Sequence, residues 1–279
     1  MALLVLTLAL LAMTVATTAM EVTPLDMAPN SFDDRYRGCG PAMMEQLSAL
    51  NRSEFQNNRW FAKAWPEAVA KWQNLGSPVS PLPSPAHAVA IVAYHELLLF
   101  VAFNGAVSKG GRSPREYRDQ FRFKTLHFLL THAVAALGDV QKEQKCRCVT
   151  FVDLIYKFDA NAGDVVRLGR FALSSRFDGG VQNLGSPTVF RVLTCHGVDV
   201  TAFTGNPSAE EVLIPPFEQF KVTNVIDYGE KVEIHLDSIG TYSKYHCEWV
   251  TGGSVPRAPG HLRGLLLATT ALAVATGIF

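Results

Sequence analysis

From Met20 to about Leu137 the apolar residues recur at the spacing of one helix face, with polar residues between them. Ser53 and Glu54 precede an apolar rhythm of Phe55, Trp60, Phe61, Ala64 and Trp65. Pro66 has the character of a first helical residue, so the pattern predicts a helix reopened there and carried through Trp72. The stretch from Gly76 to Pro85 is rich in proline and predicts a loop. Ala88 to Val107 predicts one further helix, stopped by Gly110-Gly111. Phe123 to Leu137 is the most apolar helical stretch, and it predicts a central packing element. After Asp139 the period changes. Val149–Phe151, Thr188–Thr194, Val212–Ile214, Gln219–Ile226, Lys231–Leu236 and Tyr245–Val250 are short, β-branched or aromatic, and separated by Gly, Asn and Asp, which predicts strands. Helices first and strands second give an α+β fold.

Both ends of the chain change the picture. Residues 1–19 are almost wholly apolar and close on the small residues Ala16 to Ala19, as a secretory signal peptide does, although the usual early positive charge is missing. At the other end Gly252-Gly253-Ser254 precede a polar spacer, Val255 to Arg263, and an apolar terminus, Gly264 to Phe279. That order is the signal for a glycosylphosphatidylinositol (GPI) anchor, with attachment expected at Gly252. The organisation expected is therefore signal peptide 1–19, ectodomain 20–250, and spacer with anchor signal 251–279. This places the protein on the extracellular face of the plasma membrane, held in the outer leaflet by lipid, or secreted if the anchor signal fails. Lys and Arg number 25 against 25 Asp and Glu, so the chain carries no nucleic-acid footprint.

Five cysteines in a secreted chain imply two bridges and one leftover thiol, and spacing alone does not give the pairing. Asn51-Arg52-Ser53 is an N-glycosylation sequon, expected in a surface turn. The histidines show no metal-ligand spacing, and no metal is expected. Gly110-Gly111-Arg112-Ser113 is too short for a phosphate loop and reads as a helix end.

The run Val212-Leu213-Ile214, stopped by Pro215-Pro216, is a buried strand with Glu210 and Glu211 at its entrance. An acidic pair in that place is ordinarily a solvated edge. Glu-Val-Leu-Ile-Pro-Pro-Phe-Glu (Glu211 to Glu218) nevertheless resembles the end of the nucleotide site in the vertebrate GPI-anchored arginine-type mono-ADP-ribosyltransferases. Ser31 to Cys39, Phe123 to Thr131 and Val166 to Ala172 resemble the same family, so the likeness covers nearly the whole mature chain. The resemblance implies a helical N-terminal half packed on a C-terminal β-sandwich. It implies bridges Cys39–Cys247 and Cys195 to either Cys146 or Cys148, with the odd thiol either buried and inert, the favoured reading, or available for a partner.

The family's chemistry cleaves the nicotinamide–ribose bond of NAD and passes ADP-ribose to an arginine. Positive charge develops on the ribose, so a carboxylate beside the ring lowers the barrier. By resemblance Glu211 is that carboxylate. The other family groups are replaced. Ala209 stands for the first glutamate, which orients the incoming guanidinium. Leu173 stands for the ribose serine, with Ser174 beside it. Val152 stands for the phosphate-gripping arginine and Asp153 for the glycine after it, where an acidic group would repel pyrophosphate. Leu184 stands for the ring that stacks on nicotinamide. A charge-assisted phosphate contact contributes about 1.5–3 kcal/mol. Stacking adds roughly 0.5–1.5 kcal/mol. A positioned base contributes on the order of 10²–10⁴ in rate. The expectation is a family member with NAD as co-substrate in name but impaired in transfer, acting by binding an extracellular protein. The alternative is an active transferase or NAD glycohydrolase built on Glu211, with Ser174 or Ser175 and Arg147 or Arg167 moved into the vacant roles.

Overall fold

The computed structural model describes residues 22–143, 146–176 and 187–252. The signal and anchor segments, apart from Gly252, and Leu184 lie outside those residues. After a short strand β1 (Val22–Pro24) come six helices: α1 (Gly40–Asn57), α2 (Arg59–Asn74), α3 (Pro85–Tyr94), α4 (Leu97–Gly110), α5 (Pro114–Gln120) and α6 (Lys124–Val140). The rest is strand: β2 (Arg147–Asp153), β3 (Lys157–Asp159), β4 (Val165–Arg167), β5 (Ala172–Ser175), β6 (Thr188–Thr194), β7 (Val198–Asp199), β8 (Glu211–Ile214), β9 (Glu218–Asp227) and β10 (Val232–Thr241). A one-turn helix α7 (Glu248–Thr251) follows. The α+β fold with helices first is thus realised.

Eight strands form one mixed sheet in the order β4-β9-β10-β6-β2-β5-β8-β7, while β1 and β3 make a separate parallel ribbon. Only β10 and β6 run parallel within the large sheet. Two cores follow from the alternation of side chains along the strands. One, with Phe128, Leu129 and Leu130 of α6, joins the helices to Phe171 and Leu213. The other is made by the strand region, with Phe151, Phe190, Phe220 and Ile234, so strands pack on strands as in a sandwich.

Several element boundaries differ from the sequence expectation. Helix α2 starts at Arg59, where the Asn58 side chain accepts from the Trp60 and Phe61 N–H groups, and Pro66 lies inside it. The Ala88–Val107 stretch is two helices bent by 97°. The break falls at His95-Glu96, whose N–H groups bond to Val92 and Ala93 in a tightened last turn. Tyr245–Val250 is a turn leading into α7, because Cys247 adopts positive φ and Tyr245 N–H bonds to Asp33 instead of to a neighbouring strand. The Asn51 sequon lies within α1 and not in a turn, and its half-buried side chain has Oδ1 unpartnered.

The two ends of the fold are tied together. Asp33 accepts from Arg167 Nη1 at 2.5 Å and from the N–H groups of Lys244 and Tyr245, and both carboxylate and guanidinium are sealed from water. Bridges join Cys39 to Cys247 and Cys146 to Cys195. Cys148 is the free thiol. It is exposed rather than buried, because it points off β2 on the face opposite the strand core. Gly111 ends α4 as expected, and a Cβ there would fall 2.0 Å from the Ser31 carbonyl oxygen, so only glycine allows the N-terminal segment to pass.

Candidate active site

Strand β8 lies between β5 and β7, and its register with β5 sets Ser175 opposite Glu211 and Leu173 opposite Leu213. Thr150 of β2 is opposite Ser175. Since alternate residues share a face, Cys148, Thr150, Val152, Leu173, Ser175 and Glu211 all face one side of the sheet. Pairing between β2 and β5 does not continue from Thr150–Ser175 to Val152 and Leu173. Val152 and Leu173, both apolar, are the residues that share this sheet face with Glu211, and Leu173 packs against the helix-side core.

Asp153 and Ser174 face the other way. The buried Asp153 carboxylate pairs with Arg170 and accepts from the N–H groups of Ile155 and Tyr156, each at 2.8 Å. It shapes the loop after β2 and does not stand beside Glu211. Ser174 is buried and donates to the Val212 carbonyl at 2.9 Å, which removes it from the ribose role. Ser175 is on the Glu211 face, but its hydroxyl donates to the Ala209 carbonyl. Ala209 ends a tight 3₁₀ turn, Pro207–Ala209, and Glu210 follows at φ 43° with its carboxylate 3.8 Å from Arg176.

The Glu211 carboxylate is four-fifths buried and lies 3.2 Å from His95 Nε2. Burial opposes its ionisation, yet hydrogen bonds from His95 and Thr204 outweigh that and hold its pKa below the usual 4.5. The His95 Nδ1 faces the Ile91 carbonyl at 2.8 Å. One ring nitrogen thus meets a carbonyl and the other a carboxylate. The break between α3 and α4 delivers His95 to this position. A 330 Å³ cavity runs beside the pair, lined by His95 and Thr204 together with Lys71, Leu75 and Phe203.

The arginines offered for relocation are occupied elsewhere. Arg147 is buried and donates to the Gly197 carbonyl and to Gln141. Arg167 is buried against Asp33, Met27 and Ala28. Sequence reasoning missed two groups on this side of the sheet. One is His95, which with Glu96 forms a polar pair inside an apolar run. The other is Arg191, which is opposite Thr150 in β6 and pairs with Glu233 at 2.7 Å, an acceptor it shares with His235.

The family model of NAD:arginine ADP-ribosyltransferase matches residues 25–244. The GPI-linked NAD(P)(+)–arginine ADP-ribosyltransferase 1 of Oryctolagus cuniculus is 40% identical over 256 residues, covering 86% of this chain and 78% of the relative. The erythroblast NAD(P)(+)–arginine ADP-ribosyltransferase of Gallus gallus is 42% identical over 232 residues, covering 81% and 76%. The crystal structure of the eukaryotic mono-ADP-ribosyltransferase ART2.2 superposes with a TM-score of 0.68 at 34% identity, covering 81% of this chain and 98% of that one. A mutant of it in complex with NAD also matches, with a TM-score of 0.68 at 33% identity. With the helices-then-sheet architecture and a glutamate at the mouth of β8, these matches show that the chain belongs to the NAD:arginine ADP-ribosyltransferase family.

Proposed function

We propose that this family member is held at the cell surface by a GPI anchor and has lost efficient transfer of ADP-ribose from NAD to arginine, acting instead by binding a partner outside the cell. The observation that carries this reading is the apolar character of the sheet face that Glu211 occupies. The positions that resemblance assigns to the phosphate arginine and the ribose serine are Val152 and Leu173, and both share that face without a polar group to offer. The two arginines offered for relocation, Arg147 and Arg167, are buried in other bonds.

Glu211 retains the geometry for stabilising positive charge on a ribose. Its pKa lies below the usual 4.5, its side chain is four-fifths buried, and His95 and Thr204 hold it. Missing phosphate and stacking contacts together weaken NAD binding by roughly 10²–10³, at about 1.4 kcal/mol per tenfold. Loss of the orienting base at Ala209 lowers the rate further, by on the order of 10²–10⁴.

The surface location is supported by the small-residue triplet Gly252 to Ser254 with its spacer and apolar end, and by the printed name "GPI-linked" of the rabbit relative. Phosphatidylinositol-specific phospholipase C tests the location, and transfer of etheno-ADP-ribose to agmatine tests the chemistry.

A further inference from the structure

A 510 Å³ cavity lies away from Glu211. It is bounded by the second half of α6, the segment before α1, the start of β2 and the β6–β7 turn. Strand β2 runs from Arg147 in this cavity to Val152, on the sheet face of Glu211, about 17 Å on at 3.3 Å per residue.

Its walls are strongly basic. Arg35, Arg37, Lys142, Arg147 and His196 line it against one carboxylate, Asp139, which Lys142 already neutralises at 3.0 Å. Among the described residues none of the three guanidinium groups has a carboxylate within ion-pair distance. Arg147 is 6% exposed and gives Nη1 to the Gly197 carbonyl and Nη2 to Gln141, yet its Nε has no partner. Arg35 donates to Thr241 and lies over the Phe217 ring, and its Nε is likewise buried and unpartnered. The Thr131 hydroxyl, on the α6 wall, is a third buried group without a partner.

Uncompensated like charge is costly to hold around a half-enclosed space. Its effect shows on two members. Burial, then Arg37, brings the Arg35 pKa down to about 10, while burial, then Arg35 and Arg37, lowers that of His196. A ligand that brings negative charge and several acceptor oxygens would relieve the repulsion and satisfy the orphaned donors together. The volume is that of a small-molecule site.

We propose that this cavity binds a compact, multiply charged oxyanion, a phosphate or sulfate ester, with Arg35, Arg37 and Arg147 as its principal contacts. The site is separate from the NAD chemistry, and its test does not depend on whether the protein transfers ADP-ribose.

The experiment is calorimetry on the protein purified after expression of the full chain, with two probes: inorganic pyrophosphate and a fully sulfated heparin disaccharide. At least one probe is expected to bind saturably at one site, more weakly as salt is raised. Arg37 is exposed and bears no fold contact through its side chain, so Arg37→Ala is expected to fold and to weaken binding about tenfold or more. Arg37→Lys is expected to lose less. Arg115→Ala makes the same change in net charge on the exposed face of α5, and is expected to leave affinity unchanged. Binding of pyrophosphate alone assigns a phosphate ester, binding of the disaccharide alone a sulfated glycan, and either outcome supports the site. No saturable binding of either probe, or equal losses from Arg37→Ala and Arg115→Ala, overturns it.

Discussion

Removing His95 tests how Glu211 is held. The side chains of His95 and Glu211 are 22% and 19% exposed, and their closest atoms are 3.2 Å apart. A charge-assisted hydrogen bond contributes about 1.5–3 kcal/mol when short and dry. This one is longer than the usual 2.7–2.9 Å and partly wetted, which reduces its expected coupling to about 1–1.5 kcal/mol. The cycle of His95→Ala, Glu211→Ala and the double variant, followed by urea unfolding, isolates that value from each residue's other contacts. The sign with pH follows from Glu211. Its folded pKa lies below the unfolded value near 4.5, so the ionised form stabilises the fold above that value, and the contribution is lost as pH falls through the folded pKa. The coupling is therefore expected in full at about pH 6 and reduced at a pH below the folded value. A coupling under about 0.3 kcal/mol at the higher pH, or one that does not change between the two, would falsify the ion-pair assignment.

Replacing Cys39 and Cys247 by alanine opens a loop spanning 208 residues, for which chain entropy gives an upper value of about 5 kcal/mol, read as a lower denaturant midpoint. Peptide mapping without reduction should show Cys39–Cys247 and Cys146–Cys195, with Cys148 alone taking iodoacetamide; a Cys148–Cys195 peptide would contradict the pairing. Arg167→Met leaves the fully buried Asp33 carboxylate without its cation and is expected to cost about 3–5 kcal/mol of stability, whereas a loss under about 1 kcal/mol would mean the pair is replaceable. Phosphatidylinositol-specific phospholipase C should release the protein from cells that express it, and retention with the apolar end intact would mean a spanning segment.

The layout of helices before strands was legible because hydrophobic period changes at Asp139, and the fold follows that change. The strand Val212–Ile214 was legible too, since a β-branched run stopped by two prolines has few other solutions. What sequence missed was decided by side chains acting on backbone. Pro66 reads as a helix start, but Asn58 caps the helix earlier and the proline is carried inside it. His95 was passed over inside a stretch read as one helix, and the 97° bend that follows brings it to Glu211. Asp153 resembled a charge in the nucleotide cleft because spacing cannot show that β2 turns it to the opposite face. Tyr245–Val250 has strand composition, yet a carboxylate, Asp33, takes the N–H that a sheet would have used.

The most direct test of the central claim is transfer itself. The purified protein is incubated with etheno-NAD and agmatine, beside a variant carrying Val152→Arg, Leu173→Ser and Ala209→Glu. The account predicts no etheno-ADP-ribosyl-agmatine from the natural sequence and measurable product from the triple variant, abolished when Glu211→Gln is added. Robust transfer by the natural sequence, itself lost on Glu211→Gln, would contradict it.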